Sequence, residues 1–226
     1  MGSELISAFR QKSIWNWRRE ISKAVSESGR LNFYERKRVI FHQGMPSDTV
    51  YAIKSGLVEL SGLNSAGHEV TISIRGPGEP FGWSEGLLNE PRARQASVLQ
   101  DAEIWEMSST NFLDLLVQRS DIMLAALGSA VHRATRTIEM RSDLRGSSAY
   151  ERVGYVLRRL ATSAGEGAPA PVIRITHEEI SRVCELSRQT VTTTLGEMQR
   201  NGIVELGLRS IHVVDRAWLE AEEHER

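Results

Sequence analysis

The stretch Thr176-His-Glu-Glu-Ile-Ser-Arg-Val-Cys-Glu-Leu-Ser-Arg-Gln-Thr-Val191 decides how the C-terminal third folds. Thr176 and Glu179 stand at capping-box spacing: a threonine hydroxyl accepts from the third helical N–H while the glutamate reaches back to the cap. A helix is therefore predicted to start at Thr176, with Ile180, Val183 and Cys184 forming its apolar face. It breaks near Leu186, and Ser187 offers a fresh N-cap for a second helix. In that helix Val191, Thr194, Leu195 and Met198 fall inward, and Arg188, Gln189, Thr192, Thr193 and Gly196 fall outward. Upstream, Val172-Ile-Arg-Ile175 reads as a short strand. Downstream, Asn201-Gly202 ends the helix as a turn. Ile203-Val-Glu-Leu206 and Ser210-Ile-His-Val-Val214 then make a two-stranded wing, with Gly207 and Arg209 at its tip. Two helices, a tight turn and a β-wing make a winged helix-turn-helix.

The outward face suits duplex DNA. Arg188 can offer a bidentate fork to guanine, Gln189 can pair with adenine, and the methyls of Thr192 and Thr193 can meet thymine methyl groups. Thr176 and Ser187, with the helix N-terminal amides, can hold phosphates, and His177 and Arg209 complete the candidate DNA-binding set. A protein-binding helical hairpin is the alternative, and it leaves the wing and the capping pattern without a role. Between Glu151 and Arg216 there are nine arginines and eight acids, so attraction to DNA rests on placement. Arg182, Arg188, Arg200 and Arg209 are expected on the DNA side, and the acidic tail Glu220-Ala-Glu-Glu-His-Glu225 away from it.

Working outward, Ser147 to Ala161 reads as a helix, followed by the Gly/Pro-rich loop Ser163-Ala-Gly-Glu-Gly-Ala-Pro-Ala-Pro171. Before it lies a long helix, Asp121 to about Leu144. Its apolar residues Leu124, Leu127, Val131, Ala134 and Ile138 step by 3, 4, 3 and 4, the pattern of a coiled-coil seam. That seam either packs on its own domain or joins two copies, and its place between two unlike halves favours a dimer helix. Ser109 to Val117 reads as a shorter helix capped by Ser109 or Thr110. From Leu31 to Met107, short β-branched and aromatic runs alternate with turns: Arg38-Val-Ile-Phe41, Thr49-Val-Tyr-Ala-Ile53, the break Lys54-Ser-Gly56, Leu57-Val-Glu-Leu60 and Val70-Thr-Ile-Ser-Ile74. This texture predicts a β-roll or jelly roll. Glu4 to Val25 carries Leu5, Ile6, Phe9, Ile14, Trp17 and Ile21 at helical spacing, with Trp15, Arg18 and Arg19 beside them. The expected class is α+β: a helical segment over 1–30, a sensor β-roll over 31–108, helices over 109–146 and a DNA-binding winged helix over 147–226.

Composition narrows the function. The 226 residues carry 28 Lys+Arg and 29 Asp+Glu, a net charge of -1, so any nucleic-acid contact is local. With 40% hydrophobic and 25% charged residues, the chain reads as ordinary globular protein. A single cysteine, Cys184, excludes an intramolecular disulfide and a four-thiolate zinc site. No apolar run approaches the ~20 residues of a membrane span, and no signal-peptide core is evident, so a cytoplasmic location without membrane contact is expected. Gly-rich phosphate loops and nucleophile elbows are absent, so no catalytic residue and no enzyme activity are expected.

These motifs together resemble the CRP/FNR superfamily of bacterial transcription regulators, over roughly residues 31 to 215. The residues carrying the resemblance are the stretch Ile175 to Val191, the helix from Asp121, and Gly78-Glu-Pro-Phe-Gly-Trp-Ser84, which is similar to the family's Gly-Asp-Phe-x-Gly turn. The resemblance implies a homodimer with a cyclic-nucleotide-binding-like sensor, acting on a roughly palindromic operator with half-sites about one helical turn apart. It also implies a contact with RNA polymerase if the protein activates, for which the loop Ser163 to Pro171 is the candidate. Arg188, Gln189 and Thr193 fall at the family's three main base-reading positions. Many members have glutamate and arginine where Gln189 and Thr193 stand, so a different half-site is implied.

For the sensor, the resemblance implies a tentative effector pocket of Gly82, Trp83, Ser84, Arg92, Ala93, Arg133 and Thr137. In cyclic-AMP-binding members a glutamate takes the ribose hydroxyl and an Arg-Ser pair takes the phosphate. Here Trp83 or Ser84 stands at the first position and Arg92-Ala93 at the second. An indole accepts no hydrogen bond and an alanine side chain donates none, so cyclic AMP in the family mode is disfavoured. Trp83 is instead expected to fill the pocket, although Arg92 and Arg94 still offer charge to an anion. Ile138 replaces a hydroxyl beside Thr137. An FNR-type iron–sulfur cluster needs about four thiolates and is excluded. Among six histidines none forms a metal-spaced pair, so no metal site and no cofactor are expected. The open alternatives are a different small-molecule effector, a cyclic nucleotide bound otherwise, or haem and gas. Cys184 reads as a packed apolar residue rather than a redox switch.

Overall fold

The computed structural model describes residues 14–63, 67, 69–143, 148–163 and 171–220; the side chains of 14–16, 132, 133, 135–143, 159, 162, 163 and 220 lie outside the description. The stretch from Glu4 to residue 13 and His68 therefore fall outside it. The chain divides into two compact units, one of residues 1–62 and 75–145, the other of 63–74 and 146–226.

In the first unit, α1 (Ile14–Ser28) precedes β1 (Arg30–Tyr34), β2 (Val39–Phe41) and β3 (Thr49–Leu63). After β4 (Glu69–Arg75), of which residues 69–74 group with the second unit, come β5 (Pro80–Phe81), α2 (Ser84–Leu88), β6 (Gln95–Ser108), α3 (Ser109–Gln118) and α4 (Ser120–Asp143). β6 is the spine. It pairs antiparallel with β1, from Arg30 opposite Glu106 to Tyr34 opposite Ala102. It also pairs with β3, from Thr49 opposite Ser108 to Ser61 opposite Gln95, while β2 joins β6 and β5 joins β3. This antiparallel sheet is the expected β-roll.

Two local expectations need correction. Lys54-Ser-Gly56 does not end a strand: β3 runs through it, with register shifts between Ile53 and Val58. Gly56 has φ +87°, and a Cβ there would stand 2.2 Å from the Asp101 carbonyl oxygen. The glycine marks a bulge pressed onto β6 rather than a turn. The cap of α3 is Ser108, not Ser109 or Thr110: its side chain accepts from the Asn111 N–H at 3.1 Å. Ser108 is the last residue of β6 and still extended, as an N-cap must be. The Ser109 hydroxyl donates instead to the Ser47 carbonyl at 2.6 Å.

Two apolar clusters fill this unit. One joins Ile21 and Val25 of α1, Val50, Trp83, Met107, Phe112 and Leu116 of α3, and Ile122, Ala125 and Ala126 of α4. The other gathers Phe41, Tyr51, Ile53, Val58, Leu60, Phe81, Val98 and Ile104 between the strands. Buried charge is present too. Glu79, 1% exposed, accepts from Arg18 Nη1 at 2.6 Å, Arg75 Nη1 at 3.3 Å and the Gly76 N–H at 2.9 Å. Arg18 belongs to α1, so this carboxylate ties the N-terminal helix to the turn before β5.

The second unit contains α5 (Ala149–Ser163), β7 (Val172–Ile173), α6 (His177–Cys184), α7 (Arg188–Arg200), β8 (Val204–Gly207), β9 (Ser210–Val213) and α8 (Arg216–Glu220). β9 lies between β7 and β8. Val153, Leu157, Ile180, Val191, Leu195, Met198, Ile211 and Val213 are each at most 1% exposed and form its core. Arg158 stacks 4.3 Å from the centre of the Trp218 ring, which holds α8 to α5.

Candidate nucleic-acid interface

The helix pair forms as its residues dictate. At the start of α6 the Thr176 side chain accepts from the Glu179 N–H at 3.2 Å, and the Glu179 carboxylate accepts from the Thr176 N–H at 2.8 Å. The Thr176 hydroxyl also donates to Glu179 at 2.8 Å, so its hydrogen serves the cap rather than an external phosphate. Glu185 ends α6 in the left-handed region at φ 51°. Ser187 caps α7, accepting from the Thr190 N–H at 3.0 Å.

On α7, Val191, Thr194, Leu195 and Met198 are buried, while Arg188, Gln189, Thr192 and Thr193 are exposed together. Gly196 is half-buried. The Thr192 hydroxyl donates to the Arg188 carbonyl at 2.9 Å and meets His177 Nδ1 at 2.9 Å. With that oxygen turned toward protein, the methyl group is what Thr192 offers a thymine. β8 and β9 make the wing, with Leu208 and Arg209 as its turn. Arg209 is exposed at φ 56°, and Leu208 is 97% exposed.

Cys184 is 3% exposed and donates through Sγ to the Arg152 carbonyl at 3.6 Å. Burial pushes its thiol up to about 11, so it stays protonated at neutral pH, as a packing residue does.

The sensor residues are placed less as expected. Trp83 is 4% exposed and packs in the α1–α3–α4 cluster, its ring centre 6.4 Å from that of Phe112. Arg92 is 2% exposed and lies against the other cluster, 4.2 Å from the Phe41 ring centre and 5.6 Å from that of Tyr51. Trp83 therefore does not fill a pocket beside Arg92, because the two side chains serve different cores. Arg92 Nη1 donates to the Gly82 carbonyl and Nη2 to the Thr49 carbonyl. Nε has no hydrogen-bond partner among the described residues. Gly82 has φ +70°, and a Cβ on it would lie 2.7 Å from Arg92 Nη1, so this close approach requires glycine. Ala93 is exposed, Arg94 is half-buried, and Ser84 donates to Glu85 at 2.9 Å.

The chain matches two family models: the cyclic nucleotide-binding domain over residues 31–119 and the Crp-like helix-turn-helix domain over 151–222. It is 30% identical over 202 residues to the cyclic AMP receptor protein of Thermus thermophilus, covering 89% of this chain and 91% of that one. The chain belongs to the CRP/FNR superfamily of transcription regulators. The CRP-like cAMP-activated global transcriptional regulator of Mycobacterium tuberculosis is 28% identical over 188 residues, covering 80% of this chain and 83% of that one. The fold is similar to that of FixK2 from Bradyrhizobium japonicum, with TM-score 0.71, 18% identity and coverage of 85% of this chain and 96% of that one. As a member of the superfamily, the protein is a DNA-binding regulator, and the α6–α7 pair with its wing is its helix-turn-helix.

Within this family frame, α4 shows two faces. Ile122, Ala125, Ala126 and Ser129 are buried in its own unit. Of the seam, Leu124 is half-buried, Leu127 and Val131 are 56% and 57% exposed, and Ala134 is exposed. The side chains of Arg133, Thr137 and Ile138 lie outside the described residues, as do residues 164–170 of the loop. No described helix is long and apolar enough to cross a membrane.

Proposed function

We propose that this regulator works as a homodimer joined along α4 and reads a roughly palindromic operator with α7. The observation that carries the reading is the exposed set Arg188, Gln189, Thr192 and Thr193 on one face of an N-capped helix whose opposite face is the core. Arg188 forks to a guanine, Gln189 pairs with an adenine, and the threonine methyls meet thymines. Arg209 at the wing tip follows the phosphate backbone. The homodimer reading rests on the α4 seam, whose Leu127 and Val131 are exposed at coiled-coil spacing. A twofold protein axis calls for a twofold operator. If the protein activates, RNA polymerase is its further partner.

The relatives are named for cyclic AMP, yet the chemistry here does not support the same mode. An incoming cyclic phosphate would have to displace Arg92 from the Gly82 and Thr49 carbonyls and from the Phe41 ring. Two of its five N–H donors are spent on those carbonyls, Ala93 adds no donor, and Trp83 adds no acceptor for ribose. The sensor is accordingly read as not gated by cyclic AMP in the usual way.

Selection by the ligand-free protein from a random duplex pool tests this. The expected result is a palindromic site whose affinity cyclic AMP leaves unchanged. Failure of the folded protein to select any site until cyclic AMP is added overturns the sensor reading. For the seam, Val131→Glu is expected to place like charges across the dimer axis and shift sedimentation toward monomer at micromolar concentration. A variant that sediments as wild type refutes the assignment.

A further inference from the structure

His177 is the first residue of α6, and its ring rests on the reading helix through Thr192. The donors and acceptors of that contact fix the state of the ring. The Thr192 hydroxyl has one hydrogen, spent on the Arg188 carbonyl at 2.9 Å, and a carbonyl cannot return one. Thr192 Oγ1 is therefore an acceptor toward His177, and Nδ1 must carry the hydrogen of their 2.9 Å contact. In the neutral ring this leaves Nε2 as the basic nitrogen, with a lone pair and nothing to donate. A neutral His177 so held repels a phosphate oxygen at Nε2. The same ring protonated at Nε2 donates to it and keeps its bond to Thr192.

We propose that His177 is a proton-linked contact to a DNA backbone phosphate, taking a proton from solvent onto Nε2 when the duplex docks and donating it to a phosphodiester oxygen. The inference rests on the reading of α7 as the DNA-reading helix. It adds which group the first helix offers the backbone and in which charge state. Placement supports it: in helix-turn-helix proteins the first helix crosses the backbone while the second enters the groove. His177 stands where α6 abuts the exposed Arg188–Thr192 face. The surroundings favour the neutral ring before DNA arrives. Partial burial holds the imidazole below its usual range, and Arg188 of α7, the charged group acting on the ring among the described residues, adds to it. On α6 itself, Glu179 is engaged by the Thr176 cap, and exposed Glu178 follows in sequence. From α5, Arg152 faces Cys184 at the other end of α6. A phosphate at Nε2 reverses the balance by placing a negative charge against the proton.

The sign follows from linkage. DNA raises the affinity of the ring for a proton, so protonation raises affinity for DNA. Binding strengthens as pH falls through the interval between the bound-state and free-state values, and levels off on either side. Within that interval the gain is at most about tenfold per pH unit for each ring engaged. The experiment measures dissociation constants between pH 8 and 6 at fixed salt, on a random-sequence duplex and on the duplex selected from the pool. Wild type, His177→Gln, His177→Lys and His212→Gln are compared. Wild type and His212→Gln are expected to share the pH slope on both duplexes, since a phosphate contact is indifferent to sequence. His177→Gln is expected to lose that slope and bind several-fold more weakly at pH 6. His177→Lys is expected to bind tightly at every pH, with no slope. A slope in His177→Gln equal to that of wild type overturns the proposal while leaving the DNA-reading role of α7 intact. Absence of binding by wild type to either duplex at any pH overturns both.

Discussion

Replacing Glu79 by alanine is expected to destabilise the N-terminal unit by about 3–5 kcal/mol, the cost of breaking a buried ion pair by deleting one partner. The carboxylate is 1% exposed and is shared by Arg18 of α1, Arg75 at the end of β4 and the Gly76 N–H. Removing it leaves two guanidiniums, only 14% and 12% exposed, without the carboxylate that organises them. Glu79→Gln separates charge from shape. It keeps the volume and an acceptor for Gly76, and is expected to lose most of the same stability because both partners are cations. Urea denaturation measures the loss, and amide exchange in Ile14–Ser28 is expected to quicken, since Arg18 ties α1 to this site. A loss under about 1 kcal/mol, the range of exposed ion pairs, would show that α1 is held by its apolar contacts alone.

Replacing Arg188 by alanine is expected to cost about 1–3 kcal/mol per half-site, hence about 2–6 kcal/mol for a dimer on a two-half-site operator. Arg188 is exposed at the first position of α7, where the cap on Ser187 fixes the direction in which the helix starts. A guanidinium there reads guanine through two parallel hydrogen bonds, a geometry that lysine cannot reproduce. The signature is selective. Operator binding weakens, preference at one guanine per half-site relaxes, and binding to random duplex changes far less. Equal weakening on both duplexes, measured at one salt concentration, would make Arg188 a phosphate contact instead.

Most of the helix-turn-helix was legible because its signals are local. The capping box joins residues three apart, Ser187 caps a helix three residues before Thr190, and the inward set Val191, Thr194, Leu195 and Met198 follows one helical period. Such patterns depend on backbone geometry that any chain shares. Glycine was less legible. The break expected at Gly56 is a bulge, because a positive φ serves a turn and a bulge alike. Only the strand lying over Gly56 distinguishes them.

What the sequence alone determined is the set of short-range choices: α+β class, β-roll texture, the seam spacing of α4, the capped helix pair and its outward residues. The tertiary structure decided where the isolated charges and rings went. Arg92 reads as an anion-binding residue until the Thr49 carbonyl, 43 positions away, is seen to hold it over Phe41. Glu79 reads as a turn residue until Arg18, 61 positions upstream, meets it. His177 reads as a DNA-binding residue of no stated role until Thr192, 15 positions on, fixes which nitrogen carries the hydrogen. The physical reason is common to all three. A buried polar group must find its partner, and which partner lies within about 3 Å is a property of packed elements that no local periodicity encodes.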